Sequence, residues 1–161
     1  MESADRKPNF PQDIPALDAY LKGTLTVPET GMQLSAPEFP ELPEFGSLDM
    51  TFSQKVMQLV DAAGLSPSVF YKQANLSRQV FHALNANPEY RPTRTTAFAC
   101  AVGLRLSLEK TKELLLAAGY AFSHSIRTDV IVEYYIRNRI YDIDRINEAL
   151  YYYDLQPLGS L

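Results

Sequence analysis

The chain of 161 residues has little cysteine and little histidine, and it has no run of eighteen apolar residues. Its single cysteine, Cys100, cannot form a disulfide within the chain, and the apolar run around it predicts a buried core position. His82 and His124 stand far apart, without cysteines or carboxylates at metal-ligand spacing, so no metal site is expected. His124 is predicted to have a hydrogen-bonded structural role. No stretch is apolar for long enough to predict a membrane-spanning helix.

Motifs that would indicate catalysis or nucleotide binding are also missing. The sequence has no glycine-rich phosphate loop, and its acidic stretch "DIDRINE" lacks the glycine and the terminal ligand of a calcium loop. The first residues, "MESADRKPNF", contain no apolar signal-peptide core. We therefore expect a cytoplasmic protein that is not an enzyme and that uses no cofactor, no small-molecule substrate and no membrane partner.

Charge is distributed unevenly along the chain, whose net charge is −4. Residues 1–50 carry a net charge of −6, whereas residues 64–105 carry a net charge of +4. A basic segment in an acidic chain indicates a local electrostatic surface. We predict that acids of the N-terminal segment cover the basic face around Arg78 and Arg91 and inhibit binding there.

Proline is concentrated at the N-terminal end, where residues 1–50 contain seven of the eleven prolines. Proline removes a backbone donor and interrupts helices and sheets, so this segment is predicted to be an acidic, Pro-rich arm. Residues 24–50 are predicted to lack long regular structure. One short helix is predicted earlier in the arm, with Asp13 as its N-cap and Gly23 after its end.

From Thr51 onward the apolar residues recur at helical spacing almost throughout, and no segment alternates as a strand does. The fold class is therefore predicted to be all-α. Helices are expected near residues 52–63, 67–74, 78–86, 93–104, 108–118, 128–138 and 143–154. The predicted N-caps are Ser66 (before Pro67), Ser77, Thr128 and either Asp142 or Asp144.

The stretch "ANLS" joins two of these helices with the spacing of a helix-turn-helix corner. Ala74 is small enough for the helices to approach each other. Asn75 can adopt the left-handed conformation that a tight corner needs. Leu76 is expected to fill the corner, and Ser77 is expected to cap the second helix.

The sequence around this corner resembles a lambda-repressor-like (Cro/repressor-type) helix-turn-helix domain. The resemblance depends on Ala74, on "LSR" at residues 76–78, on Phe81 and Leu84, and on the later run "LSLEKTKELLLAAG". Within that superfamily the chain is more similar to the helical domain found C-terminal to macro domains in some bacterial proteins. The stretches that carry this closer similarity are "FYKQANLSRQVFHAL", "YRPTRTTAFACAVGL", "TKELLLAAGYAFSHS" and "INEALYYYD".

The resemblance implies three regions and a function. Residues 1–50 would be the arm, residues 51–119 the helix-turn-helix core and residues 120–161 a C-terminal helical hairpin. The second helix of the motif would read the major groove of double-stranded DNA in transcription regulation. The residues expected to bind DNA are Arg78, Gln79, His82, Lys72, Arg91 and Arg94.

A second interpretation stays open on the sequence, namely a regulatory domain that binds a protein partner, or a second copy of itself, and not DNA. The last two predicted helices are rich in tyrosine, which is enriched at contact surfaces. A helix cannot direct three consecutive residues into one core, so at least one of Tyr151–Tyr153 must be exposed or at an interface. The predicted interaction surface consists of Tyr134, Tyr135, Tyr151 and Tyr152.

Overall fold

The computed structural model of the protein describes residues 13–21 and 48–159. Within these two ranges the chain forms eight α-helices and no strand, as the all-α prediction requires. Each helix lies within a few residues of its predicted position. The helices are α1 (Ile14–Leu21), α2 (Phe52–Ala62), α3 (Pro67–Gln73), α4 (Arg78–Ala86), α5 (Arg94–Gly103), α6 (Leu108–Ala117), α7 (Arg127–Arg137) and α8 (Ile143–Tyr152).

Most helices begin at a side chain that caps them. The hydroxyl oxygens of Ser66 and Ser77 accept hydrogen bonds from backbone amides of α3 and α4, as predicted. Asp142 caps α8 by accepting from two backbone amides. The predicted N-cap of α7, Thr128, was wrong, because the helix begins one residue before it and the observed N-cap, Ile126, makes no side-chain cap hydrogen bond.

Helix α5 forms the centre of the core, since every residue from Thr96 to Gly103 is buried. It packs against α3, α6 and α8. Cys100 is fully buried, as predicted. A β-carbon on Gly103 would lie only 2.7 Å from the β-carbon of Ala74, so α5 and the end of α3 meet through two small residues. The small side chain of Ala74 therefore allows contact with α5.

Helix α1 packs against α7 and buries Ile14 and Leu17 there. Asp13, predicted to cap α1, accepts hydrogen bonds from Arg145 of α8 and from the hydroxyl of Tyr135. The predicted short helix thus contacts α7, and the residue before it, Asp13, bonds to α7 and α8. The two acids of this segment, Asp13 and Asp18, bond to Arg145 and Tyr153 and not to Arg78 or Arg91. Most of the remaining predictions for the arm fall on residues 1–12 and 22–47, which lie outside the described residues.

Candidate nucleic-acid interface

The four residues from Ala74 to Ser77 connect α3 to α4 in a tight corner. Asn75 has φ of 52°, the left-handed conformation expected for it, and Leu76 is buried beneath the turn. The amide of Val80 donates to the hydroxyl oxygen of Ser77 at 3.1 Å. Phe81 of α4 packs edge-on against Phe70 of α3, with ring centroids 5.9 Å apart. These contacts fix α4 against α3.

Helix α4 has one apolar face and one polar face. Phe81 and Leu84 are buried, and Val80 is half-buried. Arg78, Gln79 and His82 are all exposed on the first two turns, which confirms the predicted exposure of these three side chains. Their expected role in DNA binding stays a prediction.

The basic residues around α4 differ in their ion pairs and in the acidic residues that lie near them. Arg78 and Arg91 are exposed, and neither forms an ion pair within the described ranges. Lys72 is also exposed, but it lines a cleft of about 220 Å³ whose walls include Asp142 and Asp144. Arg91 likewise lines a cleft whose walls include Asp49, Glu89 and Glu113, so acids reduce the positive potential near both Lys72 and Arg91.

Arg94 lies at the start of α5 and is already paired. Its Nη1 lies 2.7 Å from Oδ2 of Asp129 and donates to the carbonyl oxygen of Ala121 at 3.2 Å. Its guanidinium also stacks over the ring of Tyr120, 5.1 Å from the ring centroid. Because its side chain is only 25% exposed, Arg94 has less charge available for a phosphate than Arg91. A phosphate contact by Arg94 stays a prediction, and a phosphate would have to compete with Asp129 for the guanidinium.

Two buried carboxylates of α7 support the corner between α6 and α7. Burial raises the pKa of Asp129, and the amide of Ser123 and the charge of Arg94 offset this effect only in part. Burial also opposes ionisation of Glu133, but hydrogen bonds with Arg137 and His124 outweigh it and hold the pKa of Glu133 below its ordinary value. The hydrogen bond expected of His124 is therefore present, and its structural role stays a prediction.

The predicted tyrosine surface is only partly exposed. Tyr151 is 85% exposed and Tyr152 is 42% exposed, which confirms that the triple-tyrosine run cannot be wholly buried. Tyr134 is half-buried and packs edge-on against Tyr20. The inclusion of Tyr135 was wrong, because its side chain is fully buried and its hydroxyl donates to Asp13.

The segment after α8 reaches the corner between α3 and α4, a contact that nothing in the sequence indicates. The side chain of Leu158 is fully buried, and its carbonyl oxygen accepts a hydrogen bond from Nδ2 of Asn75 at 3.0 Å. These two residues are 83 positions apart. No local pattern predicts such a contact, because neither residue belongs to a periodic element.

Comparison of the chain with protein-family models, with curated protein sequences and with solved structures gives no match. In the part of the chain that the structure describes, no helix has the length and apolar character needed to cross a membrane. Among the same residues, no group of three or more His, Cys, Asp or Glu side chains is arranged to hold a metal ion.

Proposed function

We propose that the protein is a lambda-repressor-like helix-turn-helix module that binds double-stranded DNA, with α4 as its recognition helix. The observation that carries this proposal is the joint exposure of Arg78, Gln79 and His82 on α4, while the opposite face of α4 is held in the core by Phe81 and Leu84. A helix fixed by its apolar face can present its first polar turn to the major groove.

The exposed side chains have chemistry that suits the edges of bases. An arginine can donate two hydrogen bonds to O6 and N7 of guanine, and a glutamine can pair with N6 and N7 of adenine. Arg78 and Gln79 are therefore proposed to contact bases, with His82 one turn further along. Lys72, Arg91 and Arg94 are proposed to contact phosphates, and Lys72 and Arg91 are better placed than Arg94 because neither has an ion pair among the described residues.

The salt dependence of binding tests the proposed phosphate contacts. With about three phosphate contacts, affinity for duplex DNA should fall roughly 40-fold between about 50 mM and 200 mM salt. The full chain would be incubated with a random duplex pool at both concentrations, and binding would be followed by anisotropy and by sequencing of the retained fraction. Lack of duplex binding by the wild type at the lower salt concentration would exclude this function.

Three variants separate base contacts from phosphate contacts. Arg78→Ala should weaken binding to the selected sequence by about 1–3 kcal/mol and relax preference at one base pair. Arg91→Ala should weaken all sequences about equally and reduce the salt slope by about 0.9. Arg127→Ala removes an exposed arginine from α7 and serves as the matched control, with neither effect expected. Equal losses in all three variants would indicate a charge effect without base recognition.

A second function has its own supporting observation. Tyr151 is 85% exposed near the C-terminal end of α8, where a large aromatic ring in water is suited to a protein contact. In this alternative the module binds a protein partner or a second copy of itself through Tyr151 and Tyr152. Self-association can be distinguished from DNA binding because it would be observed in the absence of DNA.

A further inference from the structure

The segment after α8 turns back towards the corner between α3 and α4. Asp154 has φ of 59°, and the chain then runs to Leu158, whose side chain is fully buried. The amide of Leu158 donates to Oδ1 of Asn147 at 2.7 Å, and its carbonyl oxygen accepts from Nδ2 of Asn147 at 3.2 Å. Asn147 therefore holds both backbone polar groups of Leu158.

The same carbonyl oxygen also bonds to the corner. Nδ2 of Asn75 donates to the oxygen of Leu158 at 3.0 Å, so one carbonyl joins α8 to the corner. Gly159 lies directly against Asn75 with φ of +99°, and a β-carbon at Gly159 would be 2.3 Å from the oxygen of Asn75. Only a glycine allows this approach without movement of the backbone.

We propose that Asn75, Asn147, Leu158 and Gly159 form a tail clamp that fixes the corner and thereby positions the first turn of α4. Asn75 is the residue in the left-handed conformation, which asparagine adopts more readily than most residues with a side chain, and its hydrogen bond to Leu158 helps to keep it there. The side chains of Arg78 and Gln79 follow within four residues. The effect on DNA affinity rests on the proposed function, whereas the effect on the corner does not.

Short helices make such a clamp effective. Helices α3 and α4 contain 7 and 9 residues, and helices of this length are not stable alone, so tertiary contacts must fix their orientation. The apolar contacts of Phe81 and Leu84 fix the inward face of α4. The tail clamp adds a polar connection at the N-terminal side of α4, where the proposed base contacts begin.

Amide hydrogen exchange of the full chain tests the clamp without DNA. Asn147→Ala removes the two hydrogen bonds between Asn147 and Leu158. The hydrogen-bonded amides within residues 75–81, those of Asn75, Leu76, Val80 and Phe81, should then exchange about tenfold faster or more. Asn138→Ala is the matched control, because it also removes an asparagine bond to a backbone carbonyl, that of Tyr134 at 2.7 Å, but at the end of α7. The control should leave residues 75–81 unchanged.

A second variant keeps the test decisive if Asn147→Ala folds poorly. Asn75→Gly tolerates the left-handed backbone and removes the amide that bonds to Leu158. Because both variants act on the same carbonyl, their combined effect on exchange should be smaller than the product of the two separate effects. Multiplicative effects would overturn the clamp, as would unchanged exchange at residues 75–81 or equal acceleration of the α5 amides.

Binding to the selected duplex then separates the two proposals. Asn147→Ala should raise Kd by about tenfold through the mispositioned first turn of α4, with the salt slope unchanged because no phosphate contact is lost. Faster exchange with an unchanged Kd would overturn the role of the clamp in recognition. If the wild type binds no duplex, the DNA function fails, and the exchange data still decide whether the clamp holds the corner.

Discussion

The guanidinium of Arg94 and the carboxylate of Asp129, 35 positions apart in the chain, form an ion pair with 2.7 Å between Nη1 and Oδ2. Asp129 is fully buried at the start of α7, whereas Arg94 at the start of α5 is 25% exposed. This pair connects α5, the central helix of the core, to α7. An arginine that the sequence presents as a candidate phosphate ligand is thus also a structural residue.

Removal of Arg94 should destabilise the protein because it leaves a buried carboxylate without its cation. Arg94→Ala is expected to lower the free energy of unfolding by about 1–3 kcal/mol, less than for a wholly buried pair because Arg94 is partly in contact with water. Urea denaturation at neutral pH measures this change. Asp129→Asn in the same background should recover part of the loss.

The control for this pair is Lys110→Ala, which breaks the exposed contact between Lys110 and Glu113. Its cost should stay below about 1 kcal/mol. Equal costs for Lys110→Ala and Arg94→Ala would show that the Arg94 pair contributes no more than a surface contact.

Glu133 should contribute to the loss of stability in acid. Its pKa in the folded protein lies below the ordinary value of 4.5, so the folded state favours the ionised form. That contribution is complete above about pH 4.5 and is lost as the pH falls through the lower folded value. Glu133→Gln should therefore flatten the fall in urea midpoint below pH 4.5.

Asp129 should have the opposite effect on the pH dependence of stability in the same experiment. Its folded pKa is raised above the ordinary value, so the folded state binds this proton more readily than the unfolded state does. Asp129→Asn removes that gain and should make the acid-side fall in urea midpoint steeper. Parallel pH profiles for the two variants would contradict the opposite directions of the pKa shifts of Glu133 and Asp129.

Replacement of Gly103 tests the close packing of α5 on α3. Glycine within a helix usually costs roughly 0.5–1 kcal/mol relative to alanine, so Gly103→Ala would be expected to stabilise an isolated helix. Here the added β-carbon would meet the β-carbon of Ala74 at 2.7 Å, and we expect a net destabilisation of about 1–3 kcal/mol in thermal or urea unfolding. The double variant Ala74→Gly with Gly103→Ala should recover part of this loss. A more stable Gly103→Ala protein would contradict the packing.

Tyr151 allows a direct test of self-association. Tyr151→Ser, alone or together with Tyr152→Ser, should lower the mass measured by light scattering if α8 joins two copies of the chain. Leu116→Ser is the matched control, because Leu116 is a 65% exposed apolar residue on α6. A monomeric wild type, or an equal change in the Leu116 variant, would argue against a tyrosine interface between copies.

Local sequence determined most of the helices and the character of their faces. Ser66, Ser77 and Asp142 mark helix starts because a side-chain oxygen next to the first free amides caps them whatever lies elsewhere. The spacing of Phe81 and Leu84 likewise predicted which face of α4 is buried, and hence the exposure of Arg78 and Gln79. The missing side-chain cap at α7 shows the limit of such local signals, because this helix begins without one.

Tertiary structure alone decided which polar residues pair across the fold. Asp13 with Arg145, Arg94 with Asp129 and Asn75 with Leu158 join residues separated by 132, 35 and 83 positions. Charged and amide groups follow no periodicity that identifies a distant partner. The sequence therefore shows which polar groups are present but not which of them pair. Burial of Tyr135 was decided in the same way, because α1 covers that side of α7. Short-range periodicity determines which face of each helix is apolar, and only packing determines what covers that face.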